Sequence, residues 1–336
     1  MQLETQKRSA ISTIGTILLN NAIIVGIILI AIGVSIARPN FISEANLRNL
    51  LSNTAVRFII AVGVSGCLIT KGTDLSAGRT AGLAACVSAI LLQKVGYSQK
   101  IYPEMGDLPI LLVVAIVVVL GGIVGTVNGS VISFFKVPPF IATLGMQTLV
   151  YGICLVYTGA APIGGLRSDY TRLATGYIFN PIFSYVAIIA LAVGLGMAFL
   201  YYKTRHGKYM YAIGGNENAA EVAGVNVTKT KIKIYMLAGM LYGLCGFLIG
   251  CRAGGASVNT AMGYELEAIA GCTIGGVSVN GGVGKISSIL IGVLVFELLK
   301  IAMQFMGIET SYTYIVQGLV IIVAVALDLR KYLAKK

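Results

Sequence analysis

The stretch YKTRHGKYMYAIGGNENAAEVAGVNV, residues 202–227, is polar, basic and rich in small side chains, and long apolar runs flank it on both sides. Gly214-Gly215 offers a tight turn, because glycine adopts either sign of φ at little cost. Asn216 suits a helix N-cap, and Glu217 then puts a negative charge in the first turn, where the helix dipole favours it. Ala219, Val222 and Ala223 recur at i, i+3 and i+4 and so share one face, with Ala220 and Glu221 completing the turn. Gly224 is a natural C′ stop before apolar Val225. The expected product is a helix of about two turns, and isolated helices below about 12 residues are marginal in water. Such a helix needs a surface to dock against, and its small side chains let another backbone come close. The competing reading is an ordinary polar connector between two spans.

The flanking runs place this stretch beside a membrane. Of 336 residues, 57% are hydrophobic and only 11% charged, and the mean hydropathy is +0.87. Soluble domains typically carry about 25% charged residues, so a water-soluble chain of this composition could not cover its own surface. The formal net charge of +12 raises the question of nucleic acid, but the basic residues lie between apolar runs rather than in one patch with aromatics. Membrane topology accounts for them instead.

Apolar runs cover 17–37, 51–70, 76–93, 108–134, 139–158, 181–202, 232–252, 264–279, 286–305 and 312–327. The first follows Lys7-Arg8 and ends on Ser35-Ile36-Ala37, which resembles a signal peptide with a small-residue cleavage site. It is long enough to span, whereas signal h-regions run about 7–15 residues, so it reads as a retained first helix. The expectation is an all-α polytopic membrane protein of about ten transmembrane helices, residues 1–336 forming one domain. Alternation puts both termini in the cytoplasm, and the 202–227 loop with them. Lys71, Lys136, Lys203, Arg205, Lys208, Lys229, Lys231, Lys233, Lys285 and Arg330 then fall inside, and the outer loops hold fewer cations, as the positive-inside rule requires.

Glycine is abundant, at 42 residues, with pairs at 121–122, 254–255, 275–276 and 281–282. Small residues let membrane helices approach, and broken helices are tolerated beside a polar pathway. The run YELEAIAGCTIGGVSVNGGVG, 264–284, is too polar and glycine-rich for a plain lipid-facing helix. Gly66-Cys67-Leu68-Ile69 echoes Gly271-Cys272-Thr273-Ile274, which hints at an internal repeat.

Several chemistries are excluded. The six cysteines all lie in apolar runs without CxxC spacing and read as small hydrophobes. His206 is the only histidine, so neither a multi-histidine metal site nor a Ser-His-Asp triad is available within the membrane. GGVGKIS, 281–287, fails the phosphate-loop pattern at Val279 and Ile286. The sequon at Asn226 falls on the cytoplasmic side. Arg57, Asp74, Arg79, Arg252, Glu265, Glu267, Glu297 and Lys300 are ionisable residues in or near spans. Glu297 and Lys300, at i and i+3, read as a mutually neutralising pair, and Asp74 and Arg79 as interface anchors at a break between spans.

The motifs TKGTDLSAGR (70–79), GLAA (82–85), YPEM (102–105), TRHGKYMYAIGGNENAAEVAGVNV (204–227) and YELEAIAGCTIGGVSVNGGVG (264–284) resemble those of permease subunits of bacterial simple-sugar ATP-binding-cassette importers. The resemblance is strongest to the galactose/methylgalactoside type, with ribose or other pentose or nucleoside types next. It covers nearly the whole chain, except residues up to about Ser12 and the outer loop 159–180, which carry no matching motif.

The resemblance implies an inner-membrane, multi-pass permease acting as a homodimer in lipid, with no nucleic acid. It is not an enzyme and holds no cofactor; ATP and Mg would be bound by a separate cytoplasmic ATPase with tandem nucleotide-binding domains. An extracytoplasmic sugar-binding protein would deliver the substrate. Residues 214–227 then correspond to the coupling helix that docks in the ATPase, with Gly214, Gly215, Asn216, Glu217, Ala219, Ala220, Glu221, Val222 and Gly224 as its candidate residues. Gly275, Gly276, Ser278, Asn280, Gly281 and Gly282, with Asp74, are the candidate wall or gate of the pathway. An ion-coupled secondary sugar transporter, using Glu265, Glu267 or Glu297, is the alternative of a different class.

Overall fold

The computed structural model describes residues 22–177 and 182–333, of which 331–333 are described by backbone alone. Thirteen α-helices form among them. They are α1 (Ala22–Ala37), α2 (Glu44–Ile69), α3 (Ala77–Leu91), α4 (Ile110–Phe134), α5 (Pro139–Thr158), α6 (Ser168–Thr175) and α7 (Tyr185–Lys203). There follow α8 (Arg205–Gly215), α9 (Glu217–Val222), α10 (Val227–Ala253), α11 (Tyr264–Ile274), α12 (Ile286–Phe305) and α13 (Thr310–Leu333). No strand forms among the described residues; there are only isolated bridges such as Gln93 to Leu166 and Ile163 to Ala256.

Seven helices, α2, α4, α5, α7, α10, α12 and α13, are long and apolar enough to cross a bilayer. The expected runs 139–158 and 286–305 coincide with α5 and α12. The run 17–37 lies partly outside the described residues, as do Lys7, Arg8, Ser12 and both termini; α1 supplies its last 16 residues. Two expected spans are shorter than the sequence suggests. The helices α3 and α11 have 15 and 11 residues. At 1.5 Å per residue they reach about 22 and about 16 Å, short of a hydrocarbon core of about 30 Å.

Helix α11 stops because Gly276 adopts φ +84°, which lets the Val277 amide turn back to Cys272 O at 2.9 Å. The end of α2 is built the same way: Lys71 takes φ +61°, and the Gly72 amide donates to Cys67 O at 2.9 Å. The echo of GCLI and GCTI is thus a repeated helix terminus.

The long helix α10 runs through the core, and its crossing with α4 explains much of the glycine content. A Cβ on Gly121 would lie 2.0 Å from Gly239 O, and one on Gly239 would lie 2.0 Å from Gly121 O. Gly125 meets Tyr235 O and Gly243 meets Val117 O just as closely, at 2.0 and 2.1 Å. Two glycine rows at four-residue spacing therefore bring the backbones into direct contact, where lipid offers no hydrophobic drive for association. Helix α3 is short, buried and rich in Ala and Gly, and its Ala81 O is met by Gly246 of α10. All six cysteines are free and buried in this packing.

Candidate functional site

Helices α8, α9 and the start of α10 fold into one unit at an end of the bundle. Thr204 turns the chain out of α7, its hydroxyl accepting from the Gly207 amide at 3.4 Å. Glycine is required at 207, since a Cβ there would fall 1.9 Å from Tyr201 O. Gly214 and Gly215 are not a turn: both lie in α8, and neither has positive φ. Gly214 is small because it packs on the end of α2, where its Cβ would lie 1.9 Å from Ile69 O and 2.6 Å from the Gly282 amide. The turn is made by Asn216, at φ −152°, whose side-chain oxygen accepts from the Ala219 amide at 3.0 Å.

Helix α9 has 6 residues. It closes as expected on Gly224, at φ +86°, with Gly224 N donating to Glu221 O and Val225 N to Ala220 O. Asn226 then caps α10 through the Lys229 amide at 2.8 Å. Ala220 is buried against Ile213, Val225 and Val227, so it holds α9 to its own support rather than to a partner. Ala219, Val222 and Ala223 are exposed, Val222 to 91%. Glu217 pairs with Lys231 at 2.7 Å; it is part-exposed, and such pairs contribute little. Burial, with Lys233 nearby, holds His206 below the usual imidazole range, so it adds no charge here at neutral pH. The result is a short helix fixed at both ends with one apolar face uncovered.

The second candidate site packs directly on the first. The Gly282 amide donates to Ile69 O at 2.8 Å, and a Cβ on Gly281 would lie 2.5 Å from Lys71 Cγ and 2.8 Å from Gly214 O. Both glycines have positive φ. Lys71 Nζ reaches Gly215 O at 3.3 Å, and the Tyr211 hydroxyl donates to Gly284 O at 2.7 Å. On the other side, the Ser278 hydroxyl and the Val279 amide donate to Asp328 Oδ2 of α13, and Asn280 N donates to Ser278 Oγ. Gly275 lets the loop leave α11 against Ser288 O, 2.3 Å from its would-be Cβ. Residues 275–284 therefore bridge α8, the end of α2 and α13. Asp74 is elsewhere: it is wholly buried in the 70–76 link, not at a water interface, and its Oδ1 accepts from the Ser76 amide and hydroxyl at 3.0 and 2.6 Å.

Residues 46–325 match the family model described as branched-chain amino acid transport system / permease component. The chain belongs to that permease family. It is 43% identical over 316 residues to the galactose/methyl galactoside import permease protein MglC of Haemophilus influenzae, covering 92% of this chain and 94% of the relative. MglC of Escherichia coli is 43% identical, covering 89% and 90%. The ribose import permease protein RbsC of Bacillus subtilis is 36% identical, covering 91% of each. No solved structure matches the permease.

Two side-chain clusters in this permease escape the sequence. Glu297 and Lys300 of α12 are not an isolated pair. Arg57 Nε of α2 lies 2.7 Å from Glu267 Oε2 of α11 and 3.1 Å from Glu297 Oε2. Lys300 Nζ lies 2.7 Å from Glu267 Oε1 and 3.6 Å from Glu297 Oε2. Glu297 Oε2 is in ion-pair range of both cations without making a hydrogen bond. The Arg57 guanidinium also lies 4.7 Å over the Tyr264 ring. Two cations and two carboxylates thus form a neutral quartet that ties short α11 to α2 and α12. The second cluster joins Arg79, Gln147, Tyr151 and Glu265. Arg79 sits 4.2 Å over the Tyr151 ring, and Gln147 Nε2 approaches Glu265 Oε1 at 3.5 Å.

Proposed function

We propose that this chain is the membrane-spanning permease of an ATP-binding-cassette importer that moves a monosaccharide inward across the bacterial inner membrane. Galactose or methyl galactoside is its substrate class, and ribose is the second reading. The observation that carries the choice is the level of identity: 43% to galactose/methyl galactoside permeases against 36% to a ribose permease, over most of each chain.

ATP and Mg belong to a separate ATPase with tandem nucleotide-binding domains, and an extracytoplasmic binding protein delivers the sugar. Two copies of this chain, each a single domain over residues 1–336, enclose the pathway. About ten membrane segments, with α3 and α11 as short buried ones among the longer helices, and cytoplasmic termini complete the topology. One end of the bundle supports this orientation, since it gathers Lys71, Lys203, Arg205, Lys208, Lys229, Lys231, Lys233 and Lys285 around α8, α9 and the 275–284 loop. The uncovered face of Ala219, Val222 and Ala223 at that end is the surface for the ATPase. Closure of the ATPase on ATP draws the two copies of α9 together and shifts the spans between outward-open and inward-open states. The 275–284 loop, which touches α8, carries that movement to α11 and α12 and so gates the pathway. Two of the three carboxylates that an ion-coupled mechanism would use, Glu267 and Glu297, are already matched by Arg57 and Lys300, which disfavours them as ion sites.

Uptake of a panel of radiolabelled sugars by vesicles holding the permease, its ATPase and its binding protein tests this reading. ATP-dependent uptake led by galactose or methyl galactoside is expected. Uptake led by ribose selects the second reading, and uptake independent of ATP overturns both.

A further inference from the structure

The cluster of Arg79, Gln147, Tyr151 and Glu265 serves neither the ATPase surface nor the neutral quartet. Glu265, at the start of α11, is 6% exposed, yet its Oε2 has no hydrogen-bond partner. Its Oε1 takes a long contact from Gln147, and the backbone amides of Gly263 and Glu265 lie near the carboxylate. The carboxylate lies against α3 because residue 78 is glycine, whose Cβ would sit 2.0 Å from Oε2. Arg79 donates through Nη1 to Val258 O at 2.9 Å, and among the described residues it makes no ion pair. A guanidinium has five N–H donors, so most of them stay available.

Depth gives the cluster its meaning. Gln147 and Tyr151 are the ninth and thirteenth residues of the 20 in α5, which places them near the bilayer midplane. Arg79, Gln147 and Tyr151 are only half-buried, and Asn259, Met262 and Leu266 beside them are exposed. Charge at that depth does not face hydrocarbon; it faces a water-filled cavity or protein.

We propose that these four side chains line the pathway at mid-membrane and contact the passing sugar, Glu265 accepting from its hydroxyls while Arg79 and Gln147 donate to them. This rests on the permease reading above. The chemistry selects a neutral polyol: every sugar hydroxyl both donates and accepts, and the site offers one unsatisfied acceptor beside planar donors. Glu265 and Arg79 carry opposite charges, so the site as a whole favours neither an anion nor a cation. A single free carboxylate oxygen makes a weak hold, which suits a pathway that must release what it admits.

The test uses the complete importer in proteoliposomes, with D-galactose and saturating binding protein. Glu265→Gln is expected to lower the maximal uptake rate about tenfold, the order lost with a charged hydrogen bond. ATPase activity stimulated by the loaded binding protein is expected to stay within about twofold of the unaltered chain. In a chain whose native cysteines are replaced, Gln147→Cys should react with a small water-soluble methanethiosulfonate, and D-galactose should slow that reaction. Unaltered uptake by Glu265→Gln would overturn the proposal. So would a parallel fall in uptake and ATPase activity, the mark of a purely structural role, or a Gln147→Cys thiol inert to the aqueous reagent. Failure of the unaltered chain to import any sugar would overturn the permease reading itself, and that is visible before any variant is measured.

Discussion

Glu267→Ala is expected to destabilise the folded permease by about 3–5 kcal/mol, the usual result of stripping one partner from a buried ion pair. The loss leaves Arg57 and Lys300 facing Glu297 alone, all three at no more than 11% side-chain exposure. One uncompensated positive charge would remain where water cannot reach it. The quartet also fixes α11, whose 11 residues cannot anchor themselves across the bilayer. The effect should appear as lost thermal stability and poor monodispersity in detergent. Glu267→Met with Lys300→Met is the informative companion. It removes one charge of each sign, keeps the Arg57 to Glu297 contact, and should recover most of the stability. A Glu267→Ala protein as stable as the parent would mean that water already solvates the quartet.

Gly214→Ala is expected to cut sugar uptake by at least about tenfold while ATPase recovery stays normal. The added Cβ has no room, with Ile69 O at 1.9 Å and the Gly282 amide at 2.6 Å. Relief requires α8 to move away from the end of α2 and from the 275–284 loop. Overpacking of this kind typically costs about 1–3 kcal/mol, and each 1.4 kcal/mol shifts a two-state balance about tenfold. The exposed face of α9 is untouched, so docking should survive while movement no longer reaches α11 and α12. Paired uptake and pull-down assays on one preparation separate these effects. Normal uptake would reduce the contact to a spacer.

The sequence makes local features legible and long-range ones not. The ends of α5 and α12 are marked by Pro139 in the first turn and by Lys285 just before Ile286. Asn216 and Gly224 act within a few residues of themselves, so their capping roles follow from residue type alone. Gly214 is ambiguous by type: glycine serves a turn or a close approach, and only Ile69, far away in the chain, decides between them. The phase of α9 is likewise set from outside. Ala220 turns inward because Val225 and Val227 fold back beneath it, information absent from a helix of 6 residues. Arg57 and Glu267 are 210 positions apart, and Gln147 and Glu265 are 118 apart. No spacing rule connects such pairs, so the charges are visible in the sequence while their partners are not. The short α3 and α11 read as spans because hydropathy reports apolar length, whereas the glycine backbone sets where each helix stops.

The coupling role of α9 stands or falls on Val222, which is 91% exposed on a helix held to its support through Ala220. Ala220→Trp is a poor probe, because that side chain is part of the support beneath α9. Val222→Asp alters the uncovered face and leaves the fold alone. The measurement is recovery of the ATPase in a pull-down, made beside galactose uptake on the same vesicles. The predicted result is normal insertion of the permease, ATPase recovery reduced at least about tenfold, and uptake near background. Parental recovery and parental uptake would contradict it, and α9 would be a connector between α8 and α10.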